Sequence, residues 1–208
     1  MAGKSVLLVE GPDDEHVLKN ICGVHRLPYI DEIKTHKSVE DLLSAFPIEL
    51  KGSDVEAIGV VVDADADLPA RWRSLRDRLA AAGYPSVPPT PLVAGTVLSS
   101  PPNSLLPRAG VWIMPDNLST GILEDFLRLL VPAGSRLFDH AKSSVAAIPV
   151  PEREFGHLAE PKALIHTWLA WQEVPGRPLG TAVKAHYLDA NVPQARLLVA
   201  WMRRLFFS

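Results

Sequence analysis

The sequence predicts an α/β fold: a parallel-sheet core flanked by helices over residues 1–131, with a mainly helical extension over residues 132–208 packed on that core. Three observations predict it. Short apolar runs at 5–9, 56–62 and 109–114 each lead into a turn that carries an acidic residue. Segments with helical spacing of apolar positions follow each run. From about residue 132 the strand-like runs stop and only helical spacing continues. Strands that alternate with helices imply parallel pairing, because a parallel connection needs a crossover.

The first run, S-V-L-L-V, ends at Glu10-Gly11-Pro12. The helix after it has apolar residues at 17, 18, 21 and 22, and its first-turn acids suit the positive end of a helix dipole. A weaker strand is expected at 30–36. Ser38 is a suitable cap for the next helix, with Asp41 three residues on. Pro47 should kink or restart that helix. The buried-type run E-A-I-G-V-V-V at 56–62 enters Asp63-Ala64-Asp65-Ala66-Asp67, and a basic helix at 70–82 follows. The proline-rich stretch 85–107 reads as a loop or irregular strands. The strand 109–114 closes at Pro115-Asp116-Asn117, before an amphipathic helix at 121–131 carrying Glu124 and Asp125. Further helices are expected at 135–147, 160–172, 179–188 and 194–206. Trp168, Trp171, Trp201, Phe206 and Phe207 lie in them as core or helix-contact residues.

Composition bounds the function. With 208 residues, 47% of them hydrophobic, the chain can bury a core, which excludes a disordered chain. The single Cys22 excludes a disulfide framework and a cysteine-rich zinc site. No run approaches the roughly 20 apolar residues needed to span a bilayer, so the expectation is a cytoplasmic protein with no membrane partner. Charge is uneven: residues 1–67 carry 14 Asp/Glu against 6 Lys/Arg, and residues 68–208 carry 10 against 15. The front could hold a cation and the back a polyanion. Charges scattered over two solvated surfaces explain the same numbers.

Several motif matches fail. Gly3-Lys4-Ser5 precedes a strand, not a helix, so it is no phosphate-binding loop. The run from Asp63 has Leu68 where a calcium-binding EF-hand loop needs glycine, and Ser74 where it needs an acid. The seven histidines show no metal-protease spacing. Cys22 falls on the apolar stripe of its helix and reads as core. A haloacid-dehalogenase phosphatase would want Thr or Val where Asp67 stands.

What remains is a set of acids at strand ends, where ligands bind open parallel sheets. Glu10 follows one strand, Asp63 and Asp65 another, and Asp116 a third. Alternate residues of an extended segment point the same way, so Asp63 and Asp65 should converge on one ion. All-carboxylate sets select magnesium or manganese over zinc.

Val9-Glu10-Gly11-Pro12-Asp13-Asp14 together with Val61-Val62-Asp63-Ala64-Asp65 resembles the Toprim fold of topoisomerases, DnaG-type primases and nucleases of the overcoming-lysogenization-defect type. These motifs cover the first third of the chain. More closely, the whole chain resembles a family of small, uncharacterised Toprim-related proteins. That likeness is carried by Gly110-Val111-Trp112-Ile113-Met114-Pro115-Asp116-Asn117, Gly121-Ile122-Leu123-Glu124-Asp125, and the segment from Lys162 to Gln172. The resemblance implies that Glu10 is a metal ligand or general acid/base at the cleaved phosphodiester. It implies metal ligation by Asp63 and Asp65, with Asp14 as the second acid of the first motif. Glu124, and also Asp116 and Asp125, would supply a further carboxylate. Lys162 would stand near the scissile phosphate as a catalytic lysine, with Lys142 as the alternative. Asp67, Asp13 and Glu15 read as helix-terminus acids.

The expected function is therefore a Mg2+- or Mn2+-dependent phosphodiesterase or nuclease. It would bind nucleic acid without reading its sequence, since nothing in the chain reads bases. By resemblance, a separate ABC-type ATPase would be its partner in phage defence. The alternative is a non-catalytic Toprim-like module that binds a protein partner or a nucleotide.

Overall fold

In a computed structural model, which describes residues 3–208, the strands are β1 (Lys4–Val9), β2 (Glu32–Thr35), β3 (Val55–Asp63), β4 (Thr96–Leu98) and β5 (Arg108–Met114). They form one sheet in the order β2-β1-β3-β5-β4. Every pairing is parallel except that of β4 with β5. The helices are α1 (Pro12–Val24), α2 (Val39–Glu49), α3 (Leu68–Ala82), α4 (Leu123–Leu129), α5 (Arg136–Ala146), α6 (Glu160–Ala170), α7 (Leu179–Lys184) and α8 (Pro193–Phe206). The architecture is the expected α/β core with a mainly helical C-terminal part, consistent with a Toprim-like core. No helix among the described residues is long and apolar enough to cross a membrane.

The central strands β1, β3 and β5 are mainly apolar because both faces of the sheet are covered there, whereas the edge strand β2, E-I-K-T, is polar and partly exposed. Side chains alternate between the faces. Val6, Leu8, Ile58, Val60, Val62, Val111 and Ile113 pack with α2 and α3. Leu7, Val9, Val61, Trp112 and Met114 share a second apolar cluster with α1, α4 and all four helices from α5 onward. Thus the C-terminal helices and the sheet are joined by one continuous hydrophobic core.

Two details fix that packing. Gly59 and Gly110 are register partners on β3 and β5, and together they leave the space that Leu205 of α8 fills. A Cβ built at Gly110 would overlap the Leu205 side chain. Gly110→Ala should therefore cost about 2 kcal/mol, in the range of overpacked cores. Gly156→Ala, where a Cβ meets nothing within 4 Å, should stay within about 0.5 kcal/mol; urea unfolding of both variants checks this.

The second detail narrows an expectation, since the helix does not restart at its proline. Pro47 lies inside α2, which neither ends nor restarts there. Proline removes the bond that the carbonyl four residues earlier would accept. That carbonyl, on Leu43, instead accepts a hydrogen bond from Arg78 Nε of α3 at 2.7 Å. The neighbouring helix satisfies the group that proline orphans.

Candidate active site

Parallel pairing brings the carboxyl ends of β1 and β3 side by side, with Val9 opposite Val61. Glu10 leaves β1 there, and Gly11 turns the chain into α1, whose first residue is Pro12. The Glu10 carboxylate reaches across to β3, and its Oε1 accepts the Asp63 N–H at 2.8 Å. Burial raises the Glu10 pKa, opposed by this hydrogen bond and by the Arg71 guanidinium. The carboxylate thus stitches two strand ends together and still has its second oxygen to use.

Asp63 is the centre of the cluster. Burial first, then the charges of Glu10, Asp14, Asp65 and Glu124, push its pKa up to about 9. Its Oδ1 is buried without a hydrogen-bond partner. Asp14, on the first turn of α1 and buried, is pushed up to about 7 by burial, then by Glu10 and Glu124, despite backbone N–H groups that favour its charged form. Glu124 is only 4% exposed on the first turn of α4. Lys162 Nζ, from α6, stands 3.4 Å from Glu124 Oε1. Four carboxylates from four elements therefore lie near enough to raise one another's pKa, and Lys162 pairs with one of them, Glu124.

Asp65 departs from the expected geometry. Its φ is +53°, so the segment after Asp63 is not extended and the two aspartates do not simply align. A two-bond bridge with Gly121 holds this turn, each N–H donating to the other residue's carbonyl at 2.9 Å. Arg71 Nη2 donates to Asp65 Oδ2 at 2.7 Å while its Nε donates to the Asp63 carbonyl at 2.8 Å. The Asp65 charge is thus met by a guanidinium, and the same guanidinium braces the turn.

Other expected acids have local duties. Asp116 accepts from the N–H groups of Leu118 and Ser119 and from the Ser119 hydroxyl, closing its own turn. Asp125 accepts from the Ile122 N–H at the start of α4 and pairs with Arg128. Asp67 caps α3 by accepting from the Ala70 N–H, and Glu15 pairs with Lys19. Lys142 pairs with Asp139 at 3.3 Å and lies over the Phe138 ring. Burial pushes the Cys22 thiol up to about 12, so it stays protonated and acts as core. The sequence shows Arg71 only as one of the basic residues of the helix after the D-x-D run; its signal was its place in the first turn of that helix. His36, just past β2, was also passed over. Its N–H binds the Val9 carbonyl and its Nε2 is buried without a partner.

The fit of a divalent cation can be tested on these residues. The donors are all carboxylates, which select hard ions, and the orphaned Asp63 Oδ1 and the mutual repulsion of its neighbours are both relieved by positive charge. Among the described residues, however, no three His, Cys, Asp or Glu side chains are placed to hold one ion together. The chemistry of the donor set fits magnesium or manganese; side-chain rotation has to complete the set.

A family model described as a protein of unknown function (DUF3226) matches residues 4–207. Neither the curated proteins nor the solved structures contain a match to this chain.

Proposed function

The chain belongs to the DUF3226 family, and we propose that it is a divalent-metal-dependent phosphodiesterase acting on nucleic acid without sequence readout. The observation that carries this reading is the unpartnered buried oxygen of Asp63, whose charge is disfavoured by Glu10, Asp14 and Glu124 nearby, at the end of a parallel sheet where ligands bind. So much uncompensated negative charge is costly to bury, and pKa values perturbed in this way concentrate at functional sites.

Glu10, Asp63 and Glu124 would hold Mg2+ or Mn2+, with Asp14 behind them. Bound there, such an ion supplies a more acidic water and neutralises a phosphoryl oxygen. Glu10, made more basic by burial, would take the proton of the attacking water on the oxygen that does not bind the Asp63 N–H, and the departing alkoxide would take a proton from solvent. Lys162 and Arg71 place positive charge beside a region that must admit a phosphate. Arg71 also holds the Asp63–Asp65 turn in place. A separate ABC-type ATPase partner in phage defence extends this reading through the Toprim resemblance, and a cytoplasmic location extends it through the composition, with its single cysteine; the family name carries neither.

A second reading has its own support. Because no three side chains converge and Asp65 is already paired, the site also suits a module that binds a nucleotide or protein without cleaving anything. Incubation with supercoiled plasmid, single-stranded DNA and RNA in Mg2+, Mn2+ or EDTA separates the two. Cleavage is expected, abolished by EDTA and reduced roughly 10²–10⁴-fold in Glu10→Gln, the range for loss of a general acid or base. A wild type that cleaves none of them, or a Glu10→Gln variant that cleaves as well as wild type, would overturn the catalytic reading.

A further inference from the structure

The two loops that bear the strand-end acids also rim a separate hollow. On one side of it lie Leu68, Pro69, Trp72, Arg73 and Arg76, from the first turns of α3. On the other lie the proline-rich segment 89–91 and Asn117-Leu118, which follow Asp116. Its volume is about 530 Å³, within the roughly 300–1,000 Å³ of small-molecule sites.

The hollow is built rather than collapsed. Trp72 Nε1 donates to the Pro88 carbonyl at 3.2 Å, tying the proline segment to the helix. Prolines at 88, 89 and 91 restrict that segment's backbone. Asn117, buried and with φ +62°, accepts the Ile113 N–H at 2.8 Å and so fixes the opposite rim. Leu118 then stands 60% exposed at the mouth, an apolar side chain with nothing over it.

Charge says what would cover it. The only ionisable residues lining the hollow are Arg73 and Arg76, one helical turn apart, and no acid lines it. Arg73 is exposed, and Arg76 shares its guanidinium with its exposed neighbour Asp77 at 2.8 Å. Apolar walls with two guanidiniums at the rim match a ligand that is flat and apolar at one end and anionic at the other. We infer that this hollow holds one unpaired nucleotide of a nucleic-acid strand, its base against Leu118 and the prolines over the buried Trp72, its phosphates on Arg73 and Arg76. The inference rests on the nucleic-acid reading above and adds to it that the strand is single. A base inside a duplex would have to leave its stack to enter, whereas an unpaired base is already free to do so.

Fluorescence anisotropy with a labelled oligothymidylate, and with the same sequence in a duplex, tests this in EDTA, where cleavage plays no part. The single strand should bind at least ten-fold more tightly than the duplex. The double variant Arg73→Glu/Arg76→Glu and the single variant Leu118→Asp should each weaken single-strand binding about ten-fold or more. Both alter solvent-facing positions, and their melting temperatures should match wild type. Equal affinity for duplex, no binding of the single strand, unaltered binding by the hollow variants, or equal competition by a heparin fragment would each overturn the inference. Cleavage without any effect of the hollow variants on binding leaves the phosphodiesterase reading standing alone. Hollow-dependent binding without cleavage does the reverse.

Discussion

Asp63→Asn should raise the melting temperature of the metal-free protein at pH 8, while at pH 4 the two proteins should melt together. The cause is the unfavourable burial of the Asp63 charge. In the unfolded chain an aspartate ionises near pH 3.9; in the fold, burial and four neighbouring carboxylates push Asp63 up to about 9. Between those values the folded state holds a proton that the unfolded state has released. Stability therefore falls as pH rises through that window. Below it both states are protonated and nothing is lost. Asparagine stays neutral at every pH, keeps the shape of the protonated acid, and can donate its N–H groups to the surrounding carboxylates. Discounted for the coupling among these acids, the gain at pH 8 is about 2–3 kcal/mol, or roughly 5–10 °C for a chain of this length. Asp14, pushed up to about 7, adds a loss of the same sign over the lower part of the window. A thermal-melting series from pH 4 to pH 9 on both proteins checks it. Wild-type stability that holds or rises with pH would mean that the acids are not buried together. A residue that destabilises the resting fold yet occupies the end of a central strand fits a site kept for function.

Trp201→Ala should be the most damaging core substitution, costing about 3–5 kcal/mol as large aromatic truncations do. Trp201 is fully buried on α8 and packs on Trp112 of β5, their ring centroids 5.9 Å apart. Its Nε1 donates to the Thr96 carbonyl at 2.9 Å, on the short edge strand β4. Truncation would open a cavity between helix and sheet and leave that buried carbonyl without its partner. Gly95, with φ +81°, gives the chain room to pass the indole; a Cβ there would overlap the ring. Urea denaturation should show the loss as a lower midpoint, with increased amide exchange in β4 and the proline-rich segment before it. A loss below about 1 kcal/mol would mean that α8 is not seated on the sheet in this way.

Much of this fold is written locally. The strands β1, β3 and β5 are unbroken apolar runs, and each ends where an acid or proline stops the pattern, so Glu10 and Asp63 could be placed at strand ends without a structure. Asp67 as a cap and Cys22 as core follow from helical spacing alone. What escaped reading depends on distant partners. Asp65 turns toward Arg71 because its backbone bridges to Gly121, 56 residues away. Pro47 keeps its helix because Arg78 of α3 supplies a donor to Leu43. Glu124 and Lys162 entered as candidates through the resemblance alone; the burial of Glu124 and its pairing with Lys162 come from α4 packing on α6. β4 is three residues long within a proline-rich stretch and exists only through its pairing with β5.

The central claim is that Glu10, Asp63 and Glu124 hold a divalent cation, and calorimetric titration of the metal-free protein with Mn2+ at pH 7.5 tests it most directly. Metal ligation requires ionised carboxylates, and Asp63 is protonated in the fold at that pH. Binding should therefore saturate at one ion per chain and release about one proton, read as a binding heat that changes with the ionisation enthalpy of the buffer. Asp63→Asn should abolish both the binding and the proton release. Absence of saturable binding by wild type, or binding that persists unchanged in Asp63→Asn, would contradict the account.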